Sequence, residues 1–133
     1  MKKLVIAGSA KFCEEMLEWK EYFENRGYEV INYPKKIDQT NAKEYQNVYI
    51  KFFESLNETD ILFVVNEDKN GIKGYIGAET FAELSFCVAQ NLVNKEKKQI
   101  YLLKKPSEEV ACYIEIEKFI NLGWIKIFEK IIY

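Results

Sequence analysis

The chain has 133 residues with 19 basic and 21 acidic side chains, and 48% of its residues are hydrophobic. This length and composition predict one globular domain over residues 1–133 and exclude an intrinsically disordered chain. The sequence has no histidine, which excludes Ser-His-Asp and Cys-His catalysis and most catalytic zinc sites.

The first half of the sequence alternates apolar strands with amphipathic helices. Residues 4–7 form a short apolar run that Gly8 and Ser9 end, which is typical of a strand buried on both faces. Apolar residues at helical spacing predict a helix over residues 12–26, ended by Gly27. The two elements that follow are a strand and a helix, over residues 28–33 and 41–56.

The second half continues this alternation. Residues 61–65 give the strongest strand signal, and a loop rich in Asn, Asp and Gly follows over residues 66–77. The remaining elements are a helix, a strand, a helix and a strand, over residues 78–93, 100–103, 107–122 and 124–128. Five strands alternating with helices predict an α/β fold, a flavodoxin-like three-layer sandwich with a five-stranded parallel sheet in the order 2-1-3-4-5.

This topology predicts where a ligand would bind. In such sheets, ligands bind beyond the carboxyl ends of the strands, between the first and third strands. The loop at Gly8 and Ser9 and the loop over residues 66–77 would meet there. Gly74 and Gly77 would let the backbone approach a ligand closely, and the helix that follows would direct free N–H groups into the crevice.

Two glutamates after this loop are the candidate chemical groups. Glu79 and Glu83 are four residues apart, so they share one helix face. Without histidine, acid–base chemistry falls to such groups, and paired carboxyls in a cleft suit the cleavage of glycosidic bonds. The alternative is a capping box, in which Glu83 only accepts a hydrogen bond from the Thr80 amide at the start of the helix.

The order of elements and two short motifs carry a family resemblance. The segment Gly-Tyr-Ile-Gly-x-x-Thr-x-x-Glu-Leu over residues 74–84 and the opening Val-Ile-Ala-Gly-Ser over residues 5–9 resemble the nucleoside 2-deoxyribosyltransferase-like superfamily. Its members include nucleoside deoxyribosyltransferases and deoxynucleoside 5′-monophosphate N-glycosidases. The resemblance implies that Glu83 is the nucleophile and that Asn66 or Asp68 handles the sugar hydroxyls.

The resemblance also sets expectations about substrate and assembly. It implies transfer or hydrolysis at the anomeric carbon of a small-molecule nucleoside or nucleotide, with no metal and no organic cofactor, in a homodimer or larger oligomer. The family's second acidic residue falls on Gly77, and Glu79 is the nearest carboxyl. The alternatives are a nucleotide-binding or sensing module without catalysis, and an enzyme similar to the cytokinin-activating phosphoribohydrolases, whose Gly-Gly-x-Gly-Thr-x-x-Glu motif is related.

Other candidate residues have both a functional and a structural interpretation. Ser9 could bind a phosphate or sugar, or cap a helix. Tyr75 could stack on a nucleobase or act as a packing residue, and Phe12 could line the site or lie in the core. Tyr45 and Tyr49 fall on one helix face and are interpreted as core residues.

Charge and cysteine content give expectations about partners and location. A net charge of -2 and a pI near 5.4 predict no binding to polymeric nucleic acid. The first apolar run is too short for a secretory leader, and no stretch approaches the roughly 20 apolar residues that a membrane span needs. Three widely spaced cysteines predict a reducing, cytoplasmic location.

Overall fold

A computed structural model describes residues 1–129; residues 130–133 of the predicted domain lie outside the described part. All strand pairings are parallel and the strand order is β2-β1-β3-β4-β5, which confirms the predicted flavodoxin-like α/β fold. The strands are β1 (Lys3–Ala7), β2 (Glu29–Asn32), β3 (Ile61–Val64), β4 (Gln99–Leu102) and β5 (Lys126–Ile127). The helices are α1 (Cys13–Glu24), α2 (Ala42–Glu58), α3 (Ala78–Val93) and α4 (Tyr113–Asn121).

The two central strands are buried on both faces because helices cover both sides of the sheet. Alternate residues of β1 point to opposite faces, as the pleat requires. Leu4 and Ile6 pack against Met16 of α1. On the other face, Val5 and Ala7 belong to a cluster that contains side chains of α2, α3 and α4. This burial explains why β1 and β3 have continuous apolar sequences.

Helix boundaries follow local capping signals. Asn41 caps α2, because its side-chain oxygen accepts a hydrogen bond of 3.1 Å from the Glu44 amide. Gly27 follows α1 with φ of +88°, a conformation that glycine adopts without strain. The predicted and observed bounds of α3 are identical.

One predicted helix is wrong in its first part. The sequence predicts a helix from residue 107, but α4 begins at Tyr113. The Ser107 hydroxyl accepts a hydrogen bond from the Glu109 amide, and the Val110 amide donates to the Ser107 carbonyl. These local bonds form successive turns and compete with a continuous helix.

No helix within residues 1–129 has the length and apolar character needed to span a bilayer.

Candidate functional site

A cleft of about 450 Å³ lies at the carboxyl ends of the strands. Its walls are the turn after β1, the segment after β2, the loop after β3, the first turns of α3 and one side of α2. Of the predicted site residues, six line this cleft and three do not. Those that line it are Gly8, Ser9, Tyr75, Gly77, Glu79 and Glu83.

The turn after β1 depends on a glycine. Gly8 has φ of +148°, and a Cβ atom placed on it would lie 2.7 Å from the Val65 carbonyl oxygen. The backbone of β3 continues beside this turn, since the Val65 amide donates to the Ala7 carbonyl at 2.8 Å. Ser9 then caps the short 3-10 turn that precedes α1, where its Oγ accepts from the Lys11 amide at 3.3 Å. Ser9 is therefore both a cap and a cleft residue.

Asn66 lies below the cleft. Its side chain is fully buried, and its Nδ2 donates to the Lys104 carbonyl at 2.7 Å and to the Gly74 carbonyl at 3.3 Å. Its Oδ1 accepts from the Lys104 amide at 3.2 Å. These bonds tie the loop after β3 to the segment after β4. In this structure Asn66 joins these two segments and does not line the cleft, and its predicted role in substrate binding stays a prediction.

Asp68 also fastens the loop. Its Oδ1 accepts from the Gly74 amide at 3.0 Å and lies 3.4 Å from Lys104 Nζ. The amide bond, followed by the charge of Lys104, lowers the pKa of Asp68. The side chain does not line the cleft, and the role of Asp68 in handling the sugar hydroxyls, which the resemblance implies, stays a prediction.

A small hairpin within the same loop brings an unpredicted lysine into the site. Asn70 and Gly71 have φ of 53° and 78°, and the backbones of Lys69 and Ile72 exchange two hydrogen bonds of 3.0 and 2.9 Å. This is the two-residue hairpin that Asn-Gly sequences favour. The Asn-Gly pair is the sequence signal that could have identified it.

Lys69 adds positive charge to the cleft. Its Nζ donates to Ser9 Oγ at 3.3 Å and lies 4.5 Å from the centroid of the Tyr75 ring. Lys11 and Lys35 line the same cleft. Sequence reasoning missed this group because the three lysines come from three separate loops.

The start of α3 leaves backbone donors uncapped. Gly77 is the N-cap residue, and no side chain caps the first turn. Residues 77–80 line the cleft, so the unpaired N–H groups of this turn are near it. A Cβ atom placed on Gly77 would lie 3.2 Å from the Tyr75 hydroxyl. In this structure, the group that closely approaches the Gly77 backbone is therefore the Tyr75 side chain.

The capping-box interpretation of Glu83 is wrong. The helix begins after Gly77, so Thr80 lies inside its first turn and is not its N-cap residue. The Thr80 side chain is buried. Within residues 1–129, the Glu83 carboxyl has no hydrogen-bond partner. It lines the cleft instead of returning to the backbone of its own helix.

The environment of Glu83 disfavours its charged form. Burial is the main cause and the nearby Glu79 carboxylate is the second, and together they raise the pKa of Glu83 to about 8. The carboxyl is therefore protonated at neutral pH in the free protein. A carboxyl without partners, next to a like charge, is typical of functional sites.

Glu79 has a partner on the neighbouring helix. Tyr45 Oη of α2 donates a hydrogen bond of 2.5 Å to Glu79 Oε1. This bond, together with the charge of Glu79, raises the pKa of the Tyr45 phenol. Tyr45 and Tyr49 line the cleft, and their interpretation as core residues is wrong.

No match to this chain was found among protein-family models, curated proteins or solved structures. These comparisons therefore assign no function to the cleft. Within residues 1–129, no three or more Cys, Asp and Glu side chains converge on a position that could hold a metal ion.

Phe12 is the third predicted residue outside the cleft. Its side chain is buried in the cluster between α1 and the sheet, which also contains Met16 and Phe63. The core interpretation is therefore confirmed, and its assignment to substrate binding is corrected.

The arrangement has three chemically distinct parts. An apolar wall includes Val48, Tyr49, Phe52 and Phe53 of α2. Lysines supply positive charge, and the two glutamates supply a proton and a carboxylate. This combination can bind a planar apolar group, hold an anion and transfer a proton at one reacting centre.

Proposed function

We propose that the protein cleaves the N-glycosidic bond of a nucleoside or nucleotide, by hydrolysis or transfer, with Glu83 as the nucleophile. The observation that carries this proposal is the Glu83 carboxyl, which lines the cleft without a hydrogen-bond partner and has Glu79 one turn away. An ionised carboxylate without hydrogen bonds is more nucleophilic than a solvated one. The resemblance to the deoxyribosyltransferase-like superfamily supports the same proposal.

The proposed reaction uses one proton shared by the pair. In the free protein Glu83 holds it, and when substrate binds it moves to Glu79, which then protonates the leaving base. The bond between the anomeric carbon and the base nitrogen breaks, and a Glu83 oxygen bonds to that carbon. Water or an acceptor base then displaces Glu83 from the carbon and gives its proton to Glu79, from which it returns to Glu83.

The cleft favours a nucleotide over a nucleoside. The α2 wall offers Tyr49 and Phe53 for contact with a base, since aromatic rings accept the faces of planar groups. Lys11, Lys35 and Lys69 are suited to a phosphate group, which lysine binds as a point charge. Lys69→Ala should therefore weaken nucleotide binding more than nucleoside binding, and more strongly at low salt.

The direct test is release of free base. The protein is incubated with each deoxynucleoside, each ribonucleoside and their 5′-monophosphates, and the products are separated by chromatography. Glu83→Gln should lower turnover by at least about a hundredfold, as expected for loss of a nucleophile. Glu54→Gln is the matched control, because Glu54 is exposed on α2 and does not line the cleft.

The pH dependence tests the shared proton. Since the pKa of Glu83 in the free protein is about 8, the pair holds one proton below that pH and loses it above. We expect kcat/KM to fall as pH rises through about 8. A rise through the same pH would mean that the pair does not supply the proton to the leaving base.

A nucleotide-binding or sensing module is the second candidate. The cleft lysines favour it, because they would bind a phosphate whether or not chemistry follows. A rise in Tm with a nucleotide, without free base from any substrate, would support this candidate over the enzyme. The homodimer or larger oligomer that the resemblance implies is tested by sedimentation.

A further inference from the structure

The hydrogen bond between α2 and α3 connects residues 34 positions apart at the mouth of the cleft. Tyr45 lies in the second turn of α2, and its hydroxyl reaches Glu79 Oε1 at 2.5 Å. Glu79 itself is exposed, so without this contact its side chain would be free to extend into water. The Tyr45 ring also lies 6.3 Å from that of Tyr49, one turn further along α2.

We propose that Tyr45 is a positioning residue that holds the Glu79 carboxyl at a fixed place one turn from Glu83, where Glu79 can give its proton to the leaving base. The proposal rests on the proposed function and adds a residue that neither sequence motif contains. Proton transfer to a leaving base requires the donor to lie within hydrogen-bond reach of that base, and a mobile side chain meets that condition only part of the time.

The groups around Glu79 and Glu83 make the position of Glu79 dependent on its hydrogen bond from Tyr45. The other charged or titratable groups that line this cleft are Lys11, Lys35, Lys69, Tyr49 and Tyr75, and Cys87 follows Glu83 by one turn. The three lysines carry charge opposite to that of Glu79, so a released carboxylate could turn toward them or toward water. Burial raises the pKa of Cys87 to about 12, which keeps that thiol neutral and unable to take the role of Glu79.

The hydrogen bond from Tyr45 to Glu79 has a measurable electrostatic consequence at Glu83. The charge of Glu79 is the second cause, after burial, of the raised pKa of Glu83. If Tyr45 no longer holds Glu79 in place, the charge moves away and the pKa of Glu83 falls. Burial remains, so the pKa stays above the ordinary value of about 4.3 for glutamate.

The experiment compares two tyrosines on the same helix. Tyr45→Phe removes the hydroxyl and keeps the ring, and Tyr49→Phe is the matched control. Within residues 1–129 the Tyr49 hydroxyl has no hydrogen-bond partner. The titration of Glu83 is followed by carbon-13 NMR of protein with labelled glutamate, and the Glu83 signal is assigned with Glu83→Gln. Glu79→Gln gives the shift of the Glu83 titration midpoint that complete loss of the Glu79 charge causes.

We expect Tyr45→Phe to lower the titration midpoint of Glu83 by part of the shift that Glu79→Gln causes, and Tyr49→Phe to leave it unchanged. With a substrate that is turned over, Tyr45→Phe should lower kcat by about tenfold with KM little changed, as for loss of an aligned proton donor. The falling limb of the pH profile should move to lower pH by the same amount as the midpoint.

The outcomes separate the two proposals. If Tyr45→Phe and Tyr49→Phe titrate alike, Tyr45 does not position Glu79 and the inference is overturned. A shifted midpoint in a protein that turns over no substrate would contradict the proposed function, while the electrostatic link between Tyr45 and Glu83 would stand.

Discussion

At each end of the parallel sheet an ionisable side chain is largely shielded from solvent. The two side chains differ in their hydrogen-bond partners and in the charge of their neighbours. At the amino end, the Lys98 side chain is 5% exposed, and its Nζ donates to the Thr59 carbonyl at 2.8 Å and the Asn57 carbonyl at 3.0 Å. Glu96 Oε2 lies 3.2 Å from the same nitrogen. At the carboxyl end, Glu83 has no hydrogen-bond partner within residues 1–129, and its charged neighbour has the same sign.

This difference indicates which end is built for stability. A buried cation that donates to two carbonyls and lies near a carboxylate is compensated, and its removal would leave the Thr59 and Asn57 carbonyls without this donor. A buried carboxyl with only a like charge nearby costs stability whenever it ionises. Proteins keep such arrangements at sites where a reaction or a ligand uses them.

The largest effect that would test this comparison is expected at Lys98. Lys98→Met removes the charge and leaves the Thr59 and Asn57 carbonyls without their donor, so we expect about 3–5 kcal/mol lower stability. Urea unfolding measures it. Lys97→Met is the control, because the neighbouring Lys97 is exposed. Equal stability of the two variants would remove the contrast between the ends of the sheet.

A change of opposite sign is expected at Glu83. Its folded-state pKa of about 8 lies above the unfolded value, so wild-type stability should decrease as pH rises from about 4.5 to about 8. Glu83→Gln removes this cost and should be more stable than wild type by roughly 2–4 kcal/mol at pH 8, with little difference near pH 4. Thermal unfolding across this pH range checks the prediction. A variant less stable than wild type at pH 8 would show that Glu83 is compensated.

A smaller effect is expected at Asn66. This variant tests whether a buried polar side chain at the carboxyl end of the sheet serves stability or ligand binding. Asn66→Ala breaks two hydrogen bonds to Lys104, after β4, and one to Gly74 in its own loop, and should lower stability by about 2–3 kcal/mol. Nucleotide affinity of the folded fraction should not change. Asn47→Ala on the exposed side of α2 is the control. A selective loss of affinity would return Asn66 to the binding site.

Most of the fold could be predicted from the sequence because its signals are local. The apolar runs of β1 and β3 and the capping residues Asn41 and Gly27 act within a few residues. The strand order followed from the alternation of strands and helices. The predicted helix from residue 107 failed because Ser107 forms its own turn, and because the Ser107 amide donates to the Lys73 carbonyl in a distant loop.

The site was predictable only where a motif is contiguous. Glu79 and Glu83 lie on one helix, so their spacing placed them on one face. Tyr45 and Lys69 reach the cleft through the packing of α2 and through a hairpin, which no local pattern encodes. The burial of Asn66 was not predicted, because a polar residue after a strand has the same sequence signature whether it binds a ligand or joins two loops.

The unpartnered Glu83 also makes ligand binding a source of protons. At pH 7 the free protein holds a proton on this carboxyl, and a ligand that requires the Glu83 carboxylate while Glu79 stays ionised, without taking up the proton itself, must release that proton to the buffer. The heat of binding measured by calorimetry will then vary with the ionisation enthalpy of the buffer, and the slope counts the protons released. Affinity for such a ligand will rise with pH until about 8 and then level off.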